Sequence, residues 1–128
     1  MLTQYRLTSP LAKLLRKRAG AYLKGLRNDA GLTQAELAKR LDLDYYTFIS
    51  QIELGTARVP SELIEPYARA LGRPVQEVAK QLLFYLDPYM YRALFDDEDP
   101  VRWACREAEG DPAASRARRN ASPDEPVA

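Results

Sequence analysis

From Pro10 to Leu83 apolar residues recur at helical spacing, and no alternating run persists for more than a few residues. A chain patterned this way buries its apolar side chains on packed helices rather than on a sheet, so the fold class is all-α. Local signals divide the pattern into segments. Thr8 or Ser9 caps a first helix with Pro10 at its start, and Leu11, Leu14 and Leu15 form a stripe facing away from Lys13, Arg16, Lys17 and Arg18. Glycine costs about 1 kcal/mol relative to alanine inside a helix, so Gly20 is expected to stop or kink this one, setting off residues 1–18 as a basic helical extension. Leu23, Leu26 and Ala30 mark the buried face of the next segment, which Gly31 ends.

Thr33 with Glu36 three places on is a capping box, and the helix it opens buries Leu37 and Leu41. Asp44 is expected to cap the following helix, at about 44–54, whose Phe48, Ile49 and Ile52 point to the core and which Gly55 closes. Ser61 is expected to cap a fourth, carrying Leu63, Ile64, Tyr67, Ala68 and Leu71, with Pro66 disturbing its first turns. Pro74 starts a fifth, with Val75, Val78, Leu82 and Leu83 inward. An aromatic extension follows at 87–108, in which Pro100 begins a short helix through Trp103 and Cys105. Residues 109–128, rich in Ala, Ser, Pro, Arg and Asp, lack the apolar content to offset their ordering entropy and are expected to be a disordered tail.

At 128 residues the chain has room for one compact domain and some loose ends. Its net charge of +1 hides an asymmetry: residues 1–40 carry nine Lys/Arg against two Asp/Glu, and residues 87–128 carry six against ten. A basic front suits a polyanion. Cys105 is the single cysteine, which excludes an internal disulfide and fits a reducing compartment. No apolar run approaches the roughly 20 residues of a membrane span, so a cytoplasmic protein without a membrane partner is expected. There is no histidine, no cysteine pair and no phosphate-cradling glycine loop. No enzyme, cofactor or metal is expected, and the acidic run at 96–99, which lacks alternating ligand spacing, reads as a solvated linker.

The run GLTQAELAKRL, a short turn, a helix ending in ISQIELG, a proline in the next loop and a Leu-Gly pair ending the fourth helix stand in a specific order between residues 19 and 74. In that order they resemble the DNA-binding domain of the Xre family, which includes Cro and the phage repressors. The resemblance implies a five-helix, phage-repressor-like helix-turn-helix domain at 19–86, with an extra N-terminal helix and a C-terminal aromatic helical extension. Two departures stand out. Asp42 occupies the turn position where family members usually have glycine, and Asp tolerates the left-handed conformation better than most residues. The interval from the turn to Glu53 is one residue longer than usual, so the resemblance aligns Ile49 to Gly55 without fixing Asp44 to Phe48.

The implied function is sequence-specific binding of double-stranded DNA by a transcriptional regulator that reads the major groove with the second helix of the motif. Gln34 stands where the family contacts a phosphate, and Gln51 where a side chain faces base edges. Asp44, Tyr45, Tyr46, Thr47 and Ser50 are the other candidates on the reading helix, and Lys39, Arg40 and Arg58 supply phosphate attraction that the helix itself lacks. Arg27 and Glu53 match a structural ion pair of the family. A homodimer addressing two half-sites is expected, with Phe84, Tyr85, Tyr89, Tyr91, Leu94 and Phe95 as contact residues, although the same segment can fold back on its own chain. RNA polymerase is a candidate protein partner. The alternative reading is a protein-interaction module, an adaptor or antitoxin-like protein, that keeps the fold and holds a protein instead.

Overall fold

In the computed structural model, which describes residues 6–110, the helix capped by Thr8 does not stop at Gly20. Thr8 Oγ1 accepts the Leu11 N–H at 3.4 Å, Pro10 lies in the first turn, and α1 runs from Ser9 to Asp29 as one 21-residue element. The expected extra helix is therefore the first half of α1. Gly20 serves contact instead of interruption: a Cβ there would lie 2.4 Å from the Glu53 carbonyl oxygen and 2.5 Å from that of Ile52. The propensity lost to glycine lets a second helix cross directly over the α1 backbone.

That second helix is α3, Thr47–Leu54, reached through α2, Gln34–Arg40. The capping box of α2 is complete: Thr33 Oγ1 accepts the Glu36 N–H at 3.0 Å and Glu36 Oε1 accepts the Thr33 N–H at 2.8 Å. The bond from the Thr33 backbone is the main reason the Glu36 carboxyl titrates below its ordinary value. Beyond Arg40, Asp42 takes the left-handed conformation with φ 60°, and the Leu43 N–H returns to the Ala38 carbonyl at 2.9 Å. Leu41 to Tyr46 then bridge to α3, so the longer interval is taken up before the helix begins.

Asp44 consequently does not cap α3. It lies exposed in the connection, three residues before the first helical position, and Tyr46 precedes the helix without a side-chain capping bond. Ser61 is likewise the first residue of α4, Ser61–Ala70, behind an extended Pro60, and the helix continues through Pro66. Proline forfeits one intrahelical bond there, which the packing of Tyr67 and Ala68, both fully buried, offsets.

Three further helices complete the fold: α5, Val75–Leu86; α6, Pro88–Leu94; and α7, Pro100–Ala108. Among the described residues there is no strand, and no helix is long and apolar enough to cross a membrane. α1 is the axis, packed against α3, α5 and α7, while α4 and α6 rest on α5, α6 also meets α7, and α2 rests on α3. Leu15, Leu23, Leu37, Ile49, Val78 and Leu82 fill the centre. Phe48, expected with them, is only half-buried.

The aromatic extension closes on its own chain. Phe84 packs edge-on against Tyr85, Tyr91 and Trp103, with ring centroids 5.4, 5.0 and 5.4 Å away. Phe84, Tyr85 and Tyr91 are buried by these contacts, so none of the three is available to a second protomer, contrary to the expectation for them. The acidic run is a partly exposed connection between α6 and α7, as expected, but acids within it are also engaged. Asp97 accepts from Lys80 at 3.0 Å and from the Tyr91 hydroxyl at 2.8 Å, while Asp99 caps α7 and accepts from Arg92 at 3.1 Å. The expected disordered tail, from residue 111 on, lies outside the described residues; Glu109 and Gly110 close α7.

Candidate nucleic-acid interface

α3 has a locked side and an open side. On the locked side Arg27, late in α1, donates from Nε to Glu53 Oε2 at 2.6 Å and from Nη2 to Glu53 Oε1 at 3.0 Å. Its Nη1 donates to the Leu32 carbonyl at 2.8 Å. The hydrogen bond to Glu53 is the chief cause raising the Arg27 pKa above its ordinary value, against the opposing effect of burial. With side chains only 9% and 3% exposed, both partners sit in the core, and their geometry is the bidentate fork that suits a buried pair. Gln34, the first residue of α2, adds an amide donor to Glu53 Oε1 at 3.0 Å. The two helices of the motif are therefore tied to α1 and to each other through one carboxylate.

On the open side, Thr47, Gln51 and Leu54 form an exposed row, with Ser50 half-buried beside it. Tyr45 and Tyr46, in the connection ahead of the helix, are 77% and 55% exposed. Between Tyr45 and the helix lies a shallow hollow of about 370 Å³ lined by Leu43, Asp44, Tyr45, Thr47, Phe48 and Gln51. Leu43 and Phe48 were not expected on this surface. The signal that could have found Phe48 is its place one residue after Thr47, at the edge of the apolar face. Leu54 was missed too, although it stands three residues beyond Gln51 on the same face.

α3 itself contains no Lys or Arg. The cations flank it. Lys39 is exposed at the end of α2; Arg40 donates to the Ala70 carbonyl at 3.4 Å and Arg58 to the Leu86 carbonyl at 3.1 Å. Each arginine uses one donor on the C-terminal end of a helix, which favours positive charge, and keeps its other donors at an exposed surface. Of the residues expected at a dimer contact, Tyr89 and Leu94 are exposed on α6 beside Met90, and Phe95 is half-buried under the Lys80 ammonium, 4.5 Å from its ring centroid. Tyr89 also accepts the Leu7 N–H at 2.8 Å, joining the start of the described chain to α6.

Among known proteins, two crystal structures of the clp gene regulator ClgR from Corynebacterium glutamicum are similar to this chain. One is 35% identical, over 53% of this chain and 87% of that one, with a TM-score of 0.47. The other is 30% identical, over 62% and 83%, with a TM-score of 0.48. No curated protein matches. The family described as the helix-turn-helix domain matches residues 18–81. That match spans half of the 128 residues and covers α2, the turn at Asp42 and α3 in the order described, so this chain belongs to the helix-turn-helix domain family of DNA-binding transcription regulators.

Proposed function

We propose that the protein is a sequence-specific regulator that inserts α3 into the major groove of double-stranded DNA. The observation that carries this reading is the two-sidedness of α3: its inner face is fixed by the buried Arg27–Glu53 pair, and its outer face offers hydrogen-bonding and aromatic side chains to solvent. Rigid placement of a polar row is what base readout requires. Gln51 pairs through its amide with an adenine edge, while Thr47, Ser50, Tyr45 and Tyr46 contact neighbouring bases, methyl groups or phosphates. Gln34 keeps a second amide hydrogen for a phosphate at the start of α2. Asp44, an acceptor only, suits a cytosine amino group, since a phosphate would repel it. Lys39, Arg40 and Arg58 neutralise phosphates on either side.

One such domain reads few bases, and two copies would address half-sites about 34 Å apart. The exposed Tyr89, Leu94 and Met90 on α6, with the edge of Phe95, support a homodimer built on that helix. A bound dimer acts by occupying a promoter or by touching RNA polymerase. The second reading, a protein-interaction module, is favoured by the apolar hollow beside Tyr45 and Phe48, which a partner side chain could fill.

Selection of duplexes from a random pool with the full chain separates the two. An enriched sequence whose preference at one base pair is relaxed by Gln51→Ala supports the regulator; recovery of no enriched sequence removes it and leaves the interaction module.

A further inference from the structure

We infer that the N-terminal half of α1 is a second DNA contact, a basic ridge that follows the phosphate backbone beyond the groove occupied by α3. The inference rests on the DNA-binding reading above and extends it to a surface that precedes the matched domain, residues 9–17.

α1 carries six Lys/Arg, at 13, 16, 17, 18, 24 and 27, against one acid, Asp29 at its last position. These charges are not spread evenly. Arg27 and Arg18 are bound to Glu53 and Glu107. Lys13, Lys17 and Lys24 are all exposed and fall within about 40° of one another around the helix, at 100° per residue; Gly20 lies in the same stripe, so α3 crosses between Lys17 and Lys24, leaving Lys13 and Lys17 as the row before the crossing. Arg16 lies half-buried at its edge.

The row adjoins the reading face. The exposed row of α3, Thr47, Gln51 and Leu54, ends at Gly55, which turns the chain with φ 82°. At Gly55 the two helices touch: a Cβ there would lie 2.9 Å from Lys17 Cα and 3.1 Å from the Arg16 carbonyl carbon. No other chain fits between the end of α3 and the Arg16–Lys17 backbone, so the surface offered to DNA runs on from Leu54 into Lys17 and then Lys13.

The ridge is also held rigid. Leu15 and Ala19 anchor its inner face in the core, and Arg18 reaches the other way to Glu107 at 2.5 Å and over the Trp103 ring at 5.8 Å. Before α1, the Leu7 N–H is fixed to Tyr89. The C-terminal helices α6 and α7 thereby acquire a role: they brace the part of α1 that extends past the helix-turn-helix domain. A braced cationic row beside a groove-reading helix matches a phosphate strand, and the charge that α3 lacks is supplied there.

The test compares the full chain with the double variant Lys13→Gln/Lys17→Gln, titrated onto a random-sequence duplex and onto any selected sequence between roughly 50 and 200 mM salt. Two lost phosphate contacts lower the slope of log affinity against log salt by about 2 and weaken binding about tenfold at the low-salt end, with base preference unchanged. Arg69→Gln/Arg106→Gln, which removes the same charge from α4 and α7, controls for net charge. An unchanged slope in the Lys13/Lys17 variant, or an equal loss in the control, overturns the ridge while leaving the DNA reading intact. Absence of duplex binding by the unaltered chain overturns both, and retention of an acidic protein but no duplex would point to the interaction module.

Discussion

Two arginines on α1 reach out on different sides of the helix, and they are held to very different standards. Arg27 gives three hydrogen bonds, two to Glu53 and one to the Leu32 carbonyl, and Glu53 accepts a further one from Gln34. Arg18 gives one to Glu107, with its side chain still 38% exposed, and the second carboxylate oxygen of Glu107 is buried without a hydrogen-bond partner among the described residues. The first is a closed network that fixes α2 and α3 relative to α1; the second is a single ion pair added to the apolar packing of α7 on the same helix. Burial of charge is tolerable where every donor and acceptor is satisfied, and it adds little where it is not. The satisfied network belongs to α3, the element proposed above to read bases.

Removing one partner from each pair is the strongest way to break the comparison. Glu53→Ala leaves a guanidinium in the core and orphans the Gln34 amide, so the chain should lose about 3 to 5 kcal/mol in urea unfolding. Gly20→Ala attacks the same crossing from the backbone. Its Cβ meets two carbonyl oxygens that cannot yield without moving α3, at a cost of about 1 to 3 kcal/mol for overpacking that the better helix propensity of alanine only partly offsets. Gly25→Ala, with nothing within 4 Å, should instead stabilise by about 1 kcal/mol. If the two glycines respond alike to thermal unfolding, close approach is not what Gly20 provides.

These two anchors were legible to different degrees in the sequence, for physical reasons. Arg27 and Glu53 are 26 residues apart, but each falls at a fixed place in a motif whose order is specific, so their meeting follows once the motif is identified. The capping box and the left-handed Asp42 were legible because both are decided within four residues of chain. Arg18 and Glu107 are 89 residues apart and belong to no motif, so only the packing of α7 reveals them. Gly20 misleads because propensity records what glycine costs a helix and not which backbone crosses over it. Asp44 misleads in a similar way: it is a good capping residue, yet the extra length before α3 leaves it in the connection. Phe84, Tyr85 and Tyr91 resembled interface residues because apolar surplus over a five-helix core has two outlets, and here α7 covers it with Trp103.

The weaker pair gives a smaller effect. A double-mutant cycle of Arg18→Met and Glu107→Gln should yield a coupling of about 1 kcal/mol or less, since solvent screens a pair whose arginine is more than a third exposed. A coupling as large as the loss in Glu53→Ala would mean that this pair holds α7 as firmly as the buried network holds α3.

The smallest effect is expected at Tyr67, whose ring lies fully buried near the Arg27–Glu53 network but whose hydroxyl has no hydrogen-bond partner among the described residues. Because that hydroxyl gains nothing from the network, Tyr67→Phe should change stability at neutral pH by less than about 1 kcal/mol, in the stabilising direction. The alkaline side carries more information. Burial, with the Glu53 charge adding to it, pushes the Tyr67 hydroxyl above the ordinary tyrosine value of 10.0. A group that binds its proton more tightly when folded contributes its full share below the unfolded value and loses it as pH rises beyond that value. The stability difference between the natural chain and Tyr67→Phe, followed by urea unfolding, should therefore be flat up to about pH 10 and then turn against the natural chain. A flat difference through that range would mean the hydroxyl ionises as freely inside as outside, and that the surroundings of the Arg27–Glu53 network are wetter than their burial implies.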